Sequence, residues 1–421
     1  MLNQIFKSPL AAFPKTLSCN ENNEKILIFK TLFPQGVAIG ALLFGVLGDG
    51  FGRKKVSAGI LLLGFLSLII TTQTKSSLTF FIWRFLLGMS AGGVLVVVNV
   101  YIMESVSSKQ RMVINGIFNQ GWMCYLLATI CYLTQNWKST YYVSAACLTP
   151  ALVLSIFLPE SAVWLHNKKK TERLIKSEKR MTTLALIPYE PTERPAAPAK
   201  TTILSTLLNT KNYLPAVFFA FLWSAALSAV ENFTPHHTEL KKVSPFEYYA
   251  LLGLLAVIGR CVIFMVDWKF EKFNRRVFLI VSGAAIVLFL LGMSTWWKLT
   301  NLSHLEIYFW VGSVLCGFLV DFLFLSTMEH VETNLRATIL GFFVMVGQSL
   351  VIVMKTKSRK TNKNQYCVEN LAFAVWLTLS IGCVCVYMRE TKNVKLEEAK
   401  LPNKKSAEQE DLQLMEQENN V

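Results

Sequence analysis

Charge is scarce in this chain. Only 16% of its 421 residues are Asp, Glu, Lys or Arg, against 53% hydrophobic, and the mean hydropathy is +0.41. A soluble domain of this length does not need so much apolar material, nor does it string it into long uncharged runs. Metal-binding spacings are missing: there is no CxxC pair and no His/Cys cluster, so neither a metal nor a cofactor is expected. The histidines (His166, His236, His237, His304, His330) are isolated or in loops and read as surface residues. P-loop, nucleophile-elbow and HExxH patterns are missing too. That removes support for ATP-driven pumping or hydrolysis and predicts a protein that is not an enzyme. Lys7 and Lys15 interrupt any signal-peptide core. Of nine cysteines only Cys19 and Cys367 lie outside apolar runs, which excludes a secreted disulfide scaffold.

What is present is length in the apolar runs. About 20 apolar residues cross a bilayer as a helix. Eleven such runs occur, at 31–48, 56–72, 78–100, 113–134, 140–158, 213–230, 248–267, 277–297, 305–328, 337–354 and 371–388. The chain therefore reads as an all-α, multi-pass membrane protein with eleven predicted transmembrane helices. A net charge of +15 would suggest nucleic acid in a soluble chain; here the basic residues flank spans on the cytoplasmic side, and no nucleic-acid partner is expected.

The runs fall into two groups separated by a polar stretch. Residues 1–30 read as an extracellular segment and 31–158 as an N-terminal bundle of five helices. Residues 159–212 read as a cytoplasmic linker, 213–388 as a C-terminal bundle of six, and 389–421 as a charged cytoplasmic tail. Within the linker, Lys168 to Arg180 reads as an amphipathic helix and PYEPTERPAAPAK, from Pro188, as a segment that cannot stay helical. With the N-terminus outside, the inner segments carry 26 Lys and Arg and the outer ones 14, with Arg84 and Arg260 inside spans.

The two groups resemble copies of one unit. Glu104 and Arg111 stand 225 residues before Glu329 and Arg336. Asp49 and Arg53-Lys54 stand 222 before Glu271 and Arg275-Arg276, and Glu160 stands 230 before Glu390. Four ordered matches argue for a duplicated helical unit, and duplicated bundles around a central site are a transporter architecture. Moving the run 213–230 back by about 222 puts its partner before or across Met1. The expectation is thus eleven helices where the duplication calls for twelve.

Two constellations carry charge chemistry. GVLGDGFGRKK, from Gly45 to Lys55, is a tight Gly-rich turn in which Asp49 can cap a helix or pair with a cation of a neighbouring loop. YIMESVSSKQR, from Tyr101 to Arg111, pairs a carboxylate with a cation at an inner helix end. Such pairs form in one conformation and break in another, which suits a gate.

These segments resemble the major facilitator superfamily. Gly45 to Lys55 is similar to its loop signature, and RFLLGMSAGG from Arg84, with Glu104 and Arg111, resembles its sugar-transporter-like branch. PESAVWL from Pro159, EHVETNLR from Glu329 and RETKNVKL from Arg389 are similar to PESPRWL, ELYPTxxR and PETKN of the organic cation/anion transporter family. The resemblance covers about residues 25–397. It implies a two-bundle helical carrier of small organic ions working by alternating access, in a lipid bilayer and at the plasma membrane. The alternative is a non-transporting truncated protein that binds or modulates a full-length carrier. A homo- or hetero-oligomer is compatible with either. Gln348, twelve residues after Arg336, stands where cation carriers of the family have Asp and many anion carriers Arg, so no charge preference is carried over.

The gating set is then Asp49, Arg53, Arg84, Glu104, Arg111, Glu329 and Arg336, with Arg84 at the family's helix-four arginine. The substrate-facing set is Gln348, Asp321, Trp223 and Glu231. Asp321 sits mid-span and suits a cation or a proton relay; Trp223 suits stacking on a flat cation; Glu231 lies at the outer rim.

Overall fold

In the computed structural model the described residues are 21–107, 110–111, 114, 120–186, 188–189, 210–232, 244–269, 275–299, 305–331, 333–356 and 363–387. Residues 1–20, nearly all of the Pro-rich stretch and the tail beyond 388 lie outside them. The first group comprises α1 (Glu21–Phe51), α2 (Arg53–Gln73), α3 (Ser77–Gly93), α4 (Asn99–Ser105), α5 (Gln120–Thr134) and α6 (Trp137–Phe157). Next come α7 (Ala162–Asn167) and α8 (Thr171–Ala185). The second group comprises α9 (Thr210–Asn232), α10 (Pro245–Lys269), α11 (Arg275–Leu299), α12 (Leu305–His330), α13 (Arg336–Thr356) and α14 (Lys363–Tyr387).

Among the described residues each apolar run overlaps a helix. Among the described residues six helices are long and apolar enough to cross a membrane: Leu27–Phe51, Arg53–Gln73, Ser77–Ser105, Trp137–Phe157, Phe309–His330 and Arg336–Met354. Four shorter apolar helices, Gly121–Thr134, Val217–Val230, Arg276–Gly292 and Asn370–Gly382, accompany them. Helix α1 begins at Glu21, ten residues before its apolar run, so the last third of the segment expected to be non-spanning is helical. Leucines at 62, 66, 133, 154, 288 and 379 point outward, as rods bathed in lipid require.

One apolar core joins the two groups. Ala41, Val97, Val100 and Met103 of the first pack with Leu319, Leu323, Phe343 and Val344 of the second. Two helix crossings frame that seam. At the first, α1 meets α13: a Cβ added at Gly341 would lie 2.3 Å from the Ala41 carbonyl oxygen, and one at Gly45 would lie 2.5 Å from that of Ala337. At the second, α10 meets α5, where Gly253 abuts the Tyr125 amide and the Gly121 carbonyl. A shift of 225 residues carries α1 onto α10 and α5 onto α13. The two crossings are therefore each other's images, which is the twofold relation that the repeated spacings anticipate.

Within the first group α1 and α3 approach until their backbones touch, at Gly36, Gly40, Gly88 and Gly92. Between α3 and α4 the chain widens into a single π-helical turn, Val94–Val98. Asn99 Nδ2 donates to the Leu95 carbonyl at 3.0 Å, bonding a carbonyl within this turn. This turn leaves α4 and its Glu104 continuous with α3.

Candidate functional site: an ionic cluster across the seam

Six charged side chains converge where the α1–α2 turn, the end of α4 and the start of α13 meet. All six are buried. The Arg53 guanidinium donates to both Glu104 oxygens, Nε to Oε2 at 3.3 Å and Nη2 to Oε1 at 3.2 Å. It also pairs with Asp49 at 2.7 Å and donates to the Gly48 carbonyl at 2.8 Å. Glu104 Oε1 accepts a second guanidinium, Arg336 Nη1, at 3.2 Å, and the Ser161 hydroxyl donates to Oε2 at 2.6 Å. Arg111 Nη1 meets Glu329 Oε1 at 3.2 Å. Three carboxylates face three guanidiniums, so the cluster balances in charge.

The contacts cross between the groups. Glu104 meets Arg336, and its counterpart Glu329 meets Arg111, the counterpart of Arg336. This is the isologous pattern of a twofold contact, in which residue i touches j and j touches i. The other Asp49 oxygen accepts the Thr338 amide and hydroxyl, each at 2.7 Å. A carboxylate of the first group thus caps the N-terminus of α13 in the second, where orphan amides and the helix dipole favour an anion. Arg53 Nη2 reaches the Thr333 carbonyl at 3.3 Å.

The segment after α6 locks onto the same face. Trp164 Nε1 donates to the Asp49 carbonyl at 3.0 Å, Asn167 bonds Thr333 across the seam, and the Tyr101 hydroxyl donates to the Pro159 carbonyl. Glu160 Oε1 accepts the Lys54 amide at 2.8 Å and the Ser161 amide at 3.1 Å, so it serves the first turn of α2 from a distance of a hundred residues. Gly52 makes this possible. Its φ of 110° is closed to most side chains, and an added Cβ would stand 2.5 Å from Glu160 Oε2. The Gly52→Ala variant is expected to lose about 2 kcal/mol of stability. A lowered thermal midpoint of the purified protein checks this; an unchanged midpoint would mean that the turn relaxes without cost.

The remaining sequence-derived residues sit elsewhere. Arg84 is about 30 Å from Glu104 along the helix. Its guanidinium lies 3.7 Å from the Phe29 ring centre, and Nε donates to the Phe29 carbonyl at 3.2 Å, inside an aromatic cluster with Phe80, Trp137 and Tyr141. It ties α3 to α1 at the far end and takes no part in the cluster. Trp223 needs correction: it is 1% exposed and its indole N–H donates to Thr327 Oγ1 at 3.0 Å, so it packs in the core rather than offering a stacking face. Asp321, mid-span on α12, is ion-paired with Arg260 of α10. Gln348 is half-buried on α13, beside the crossing where Gly347 meets Trp223 and Leu227 of α9. The Glu231 side chain lies outside the described residues.

Sequence reasoning missed Thr338, Thr333, Ser161 and Trp164. Serine before a short helix was a visible capping signal; the rest needed the tertiary contact. Among the described residues no group of three His, Cys, Asp or Glu is placed to hold a metal ion.

Lipid-facing rods in two related groups, joined by a crossed ionic cluster on one face, define a carrier-type membrane protein. Residues 28–354 match the Major Facilitator Superfamily model, and the chain belongs to that family. It is a multi-pass membrane carrier protein and not an enzyme. A solved structure of the proton:xylose symporter XylE bound to 6-bromo-6-deoxy-D-glucose has the same fold, with TM-score 0.74, 17% identity, and 94% of this chain and 92% of that one covered. The inward-open conformation of the Escherichia coli xylose transporter XylE superposes with TM-score 0.59 over 94% and 92% of the two chains, at 17% identity. Among sequence relatives, a Bacillus subtilis protein named for niacin/nicotinamide transport, NiaP, is 25% identical over 86% of each chain. Bos taurus solute carrier family 22 member 16 is 34% identical over 37% of this chain and 27% of its own length. The chain spans 30% of the length of the Caenorhabditis elegans protein F23F12.3, at 29% identity over 37% of this chain.

Proposed function

We propose that this protein is a secondary carrier of small organic ions, of the organic cation/anion branch, at the plasma membrane, and that it works by alternating access. The observation that carries the reading is the crossed cluster. Glu104–Arg336 and Arg111–Glu329 join the two groups on one face, and such pairs must part for that face to open. That face is cytoplasmic, since it carries the basic segment from Lys168 to Arg180. Asp49, Arg53, Glu104, Arg111, Glu329 and Arg336 act as its gate, with Arg84 fixing the outer end of α3. The motifs shared with the organic-ion branch and the partial match to solute carrier family 22 member 16 support the substrate class. The NiaP likeness supports a small organic solute. Asp321, Arg260 and Gln348 face the crevice between the groups.

Uptake of labelled organic cations, anions and zwitterions into proteoliposomes tests the reading. Saturable uptake of at least one class is expected, with loss of transport on disrupting the cluster at Arg111→Ala. No uptake of any class would overturn it.

A further inference from the structure

Helix α8 carries a charged face that the ionic cluster does not use. Its Leu174 packs into a small core with Trp164 and Leu165, and the Ser177 hydroxyl donates to the Glu160 carbonyl at 2.6 Å. These contacts fix the roll of α8 against the first group. Arg173, Lys176, Lys179 and Arg180 then fall on an outward arc of about 120°, and all four are exposed. Glu172 shares the arc, so four cations stand against one anion. Lys168, Lys169 and Lys170, exposed as well, extend it beyond the start of the helix. Ile175 and Leu184, both exposed, edge the arc on its two sides. Among the described residues no carboxylate pairs with Arg173, Lys176 or Arg180. Like charges crowded on one face repel each other and attract an anionic partner.

The chain itself holds a complementary segment. From Glu408 to Glu418 it has five acids, Glu408, Glu410, Asp411, Glu416 and Glu418, and no Lys or Arg. Between them stand Leu412, Leu414 and Met415, which suit the apolar edges of the arc. This segment lies outside the described residues, but its point of departure is fixed. Helix α13 starts in the ionic cluster and α14 runs back toward the gated face, where Arg276 at the start of α11 bonds the Cys385 carbonyl. The 20 residues from Met388 to Ala407 can span up to about 65 Å. The acidic segment can therefore reach α8 on the same face. Joined to its target by the chain, it docks without needing high affinity.

We propose that Glu408–Glu418 docks on the basic arc of α8 and straps the two groups together across the gated face. The tail leaves the second group at α14. Helix α8 is held to the first group through Glu160, which accepts the Lys54 amide, and through Trp164, which donates to the Asp49 carbonyl. A docked tail therefore spans the seam. Its anchor adjoins the gate, since Ser161, next to Glu160, donates to the hub Glu104. The buried pairs close the face from within, and the strap closes it from the water side. Its own pairs are exposed, individually weak and screened by salt, so docking depends on several acting together. The docking does not depend on which solute is carried; the strap role rests on the gate reading.

The test uses the full-length protein in phosphatidylcholine nanodiscs, spin-labelled at Ala185 on α8 and at Gln413 in the acidic segment. A short, narrow separation is expected at about 0.05 M salt, widening at about 0.5 M. Lys176→Glu/Lys179→Glu/Arg180→Glu should widen it too. Adding Glu408→Lys/Glu410→Lys/Asp411→Lys to that chain should bring the short separation back. The α8 side chains changed are exposed, so these variants keep the buried contacts of the helix. A wide separation in the wild type, or one indifferent to the charge changes, overturns the docking. So does widening when phosphatidylserine enters the nanodisc, because the bilayer then takes α8 in place of the tail. Labels at Lys55 and Lys269 read the strap. In Glu408→Gln/Glu410→Gln/Asp411→Asn/Glu416→Gln/Glu418→Gln the population with the longer separation should rise about threefold. Lengthening in Glu104→Gln but not in this chain sinks the strap and spares the gate. No lengthening in either sinks the gate as well.

Discussion

Glu104→Gln opens the gated face. The Glu104 carboxylate is the hub of the cluster, held by two nitrogens of one guanidinium, a second guanidinium and a hydroxyl. Glutamine keeps the shape and removes the charge. Arg53 and Arg336, both 0% exposed, are then left with one cation in excess. Removing one partner of a buried ion pair costs about 3–5 kcal/mol. That cost falls on the closed face, because parting of the groups lets water reach the guanidiniums. Moving a two-state equilibrium from 1:99 to 99:1 takes about 5.5 kcal/mol, so the substitution supplies a large part of a full switch. Spin labels at Lys55 and Lys269, both exposed, report the separation of the two groups. The distance distribution is expected to lengthen; one that matches the wild type would sink the assignment of Glu104 as the hub. Glu329→Gln, which weakens the pair with Arg111, should act in the same direction with a smaller shift than loss of the hub.

The second large effect is steric. In Gly341→Val the new Cβ meets the Ala41 carbonyl oxygen at 2.3 Å and its carbon at 2.9 Å, and neither atom can turn aside. The α1–α13 crossing must widen, at a cost of about 3 kcal/mol to the closed seam. Thr338, one turn toward the helix start, is drawn from Asp49 as α13 retreats. The same labels should show a longer separation although every charge is retained. Combined with Glu104→Gln, the two effects should sum to less than their parts, because both act by favouring one open state. Full additivity would mean that the crossing and the cluster open independently.

The rods and their order were legible because apolar length is a one-dimensional signal. So was the duplication, since acids and bases repeat in order at offsets of 222 to 230. The partners were not legible. Glu104 and Arg111 read as a local pair on spacing, yet each is matched across the seam, because charge complementarity between copies is satisfied crosswise and spacing within one copy cannot show that. The partner of Asp321 was hidden for the same reason: its counter-charge lies sixty-one residues away on another helix. Trp223 sat among Phe and Leu at helical spacing, where a core-facing and a solute-facing aromatic have identical sequence surroundings. Gly52 was visible as a glycine in a turn, but its contact with Glu160 depends on a chain segment folded back from beyond α6.

The widened turn at Val94–Val98 has a consequence for aim. An α-helix advances about 100° per residue about its axis. One surplus residue taken up in a broad turn therefore swings everything beyond it by that angle. Glu104 owes its bearing to a residue count rather than to any side chain nearby. Deleting a single valine there would leave composition and hydropathy almost untouched and yet point the hub acid somewhere else.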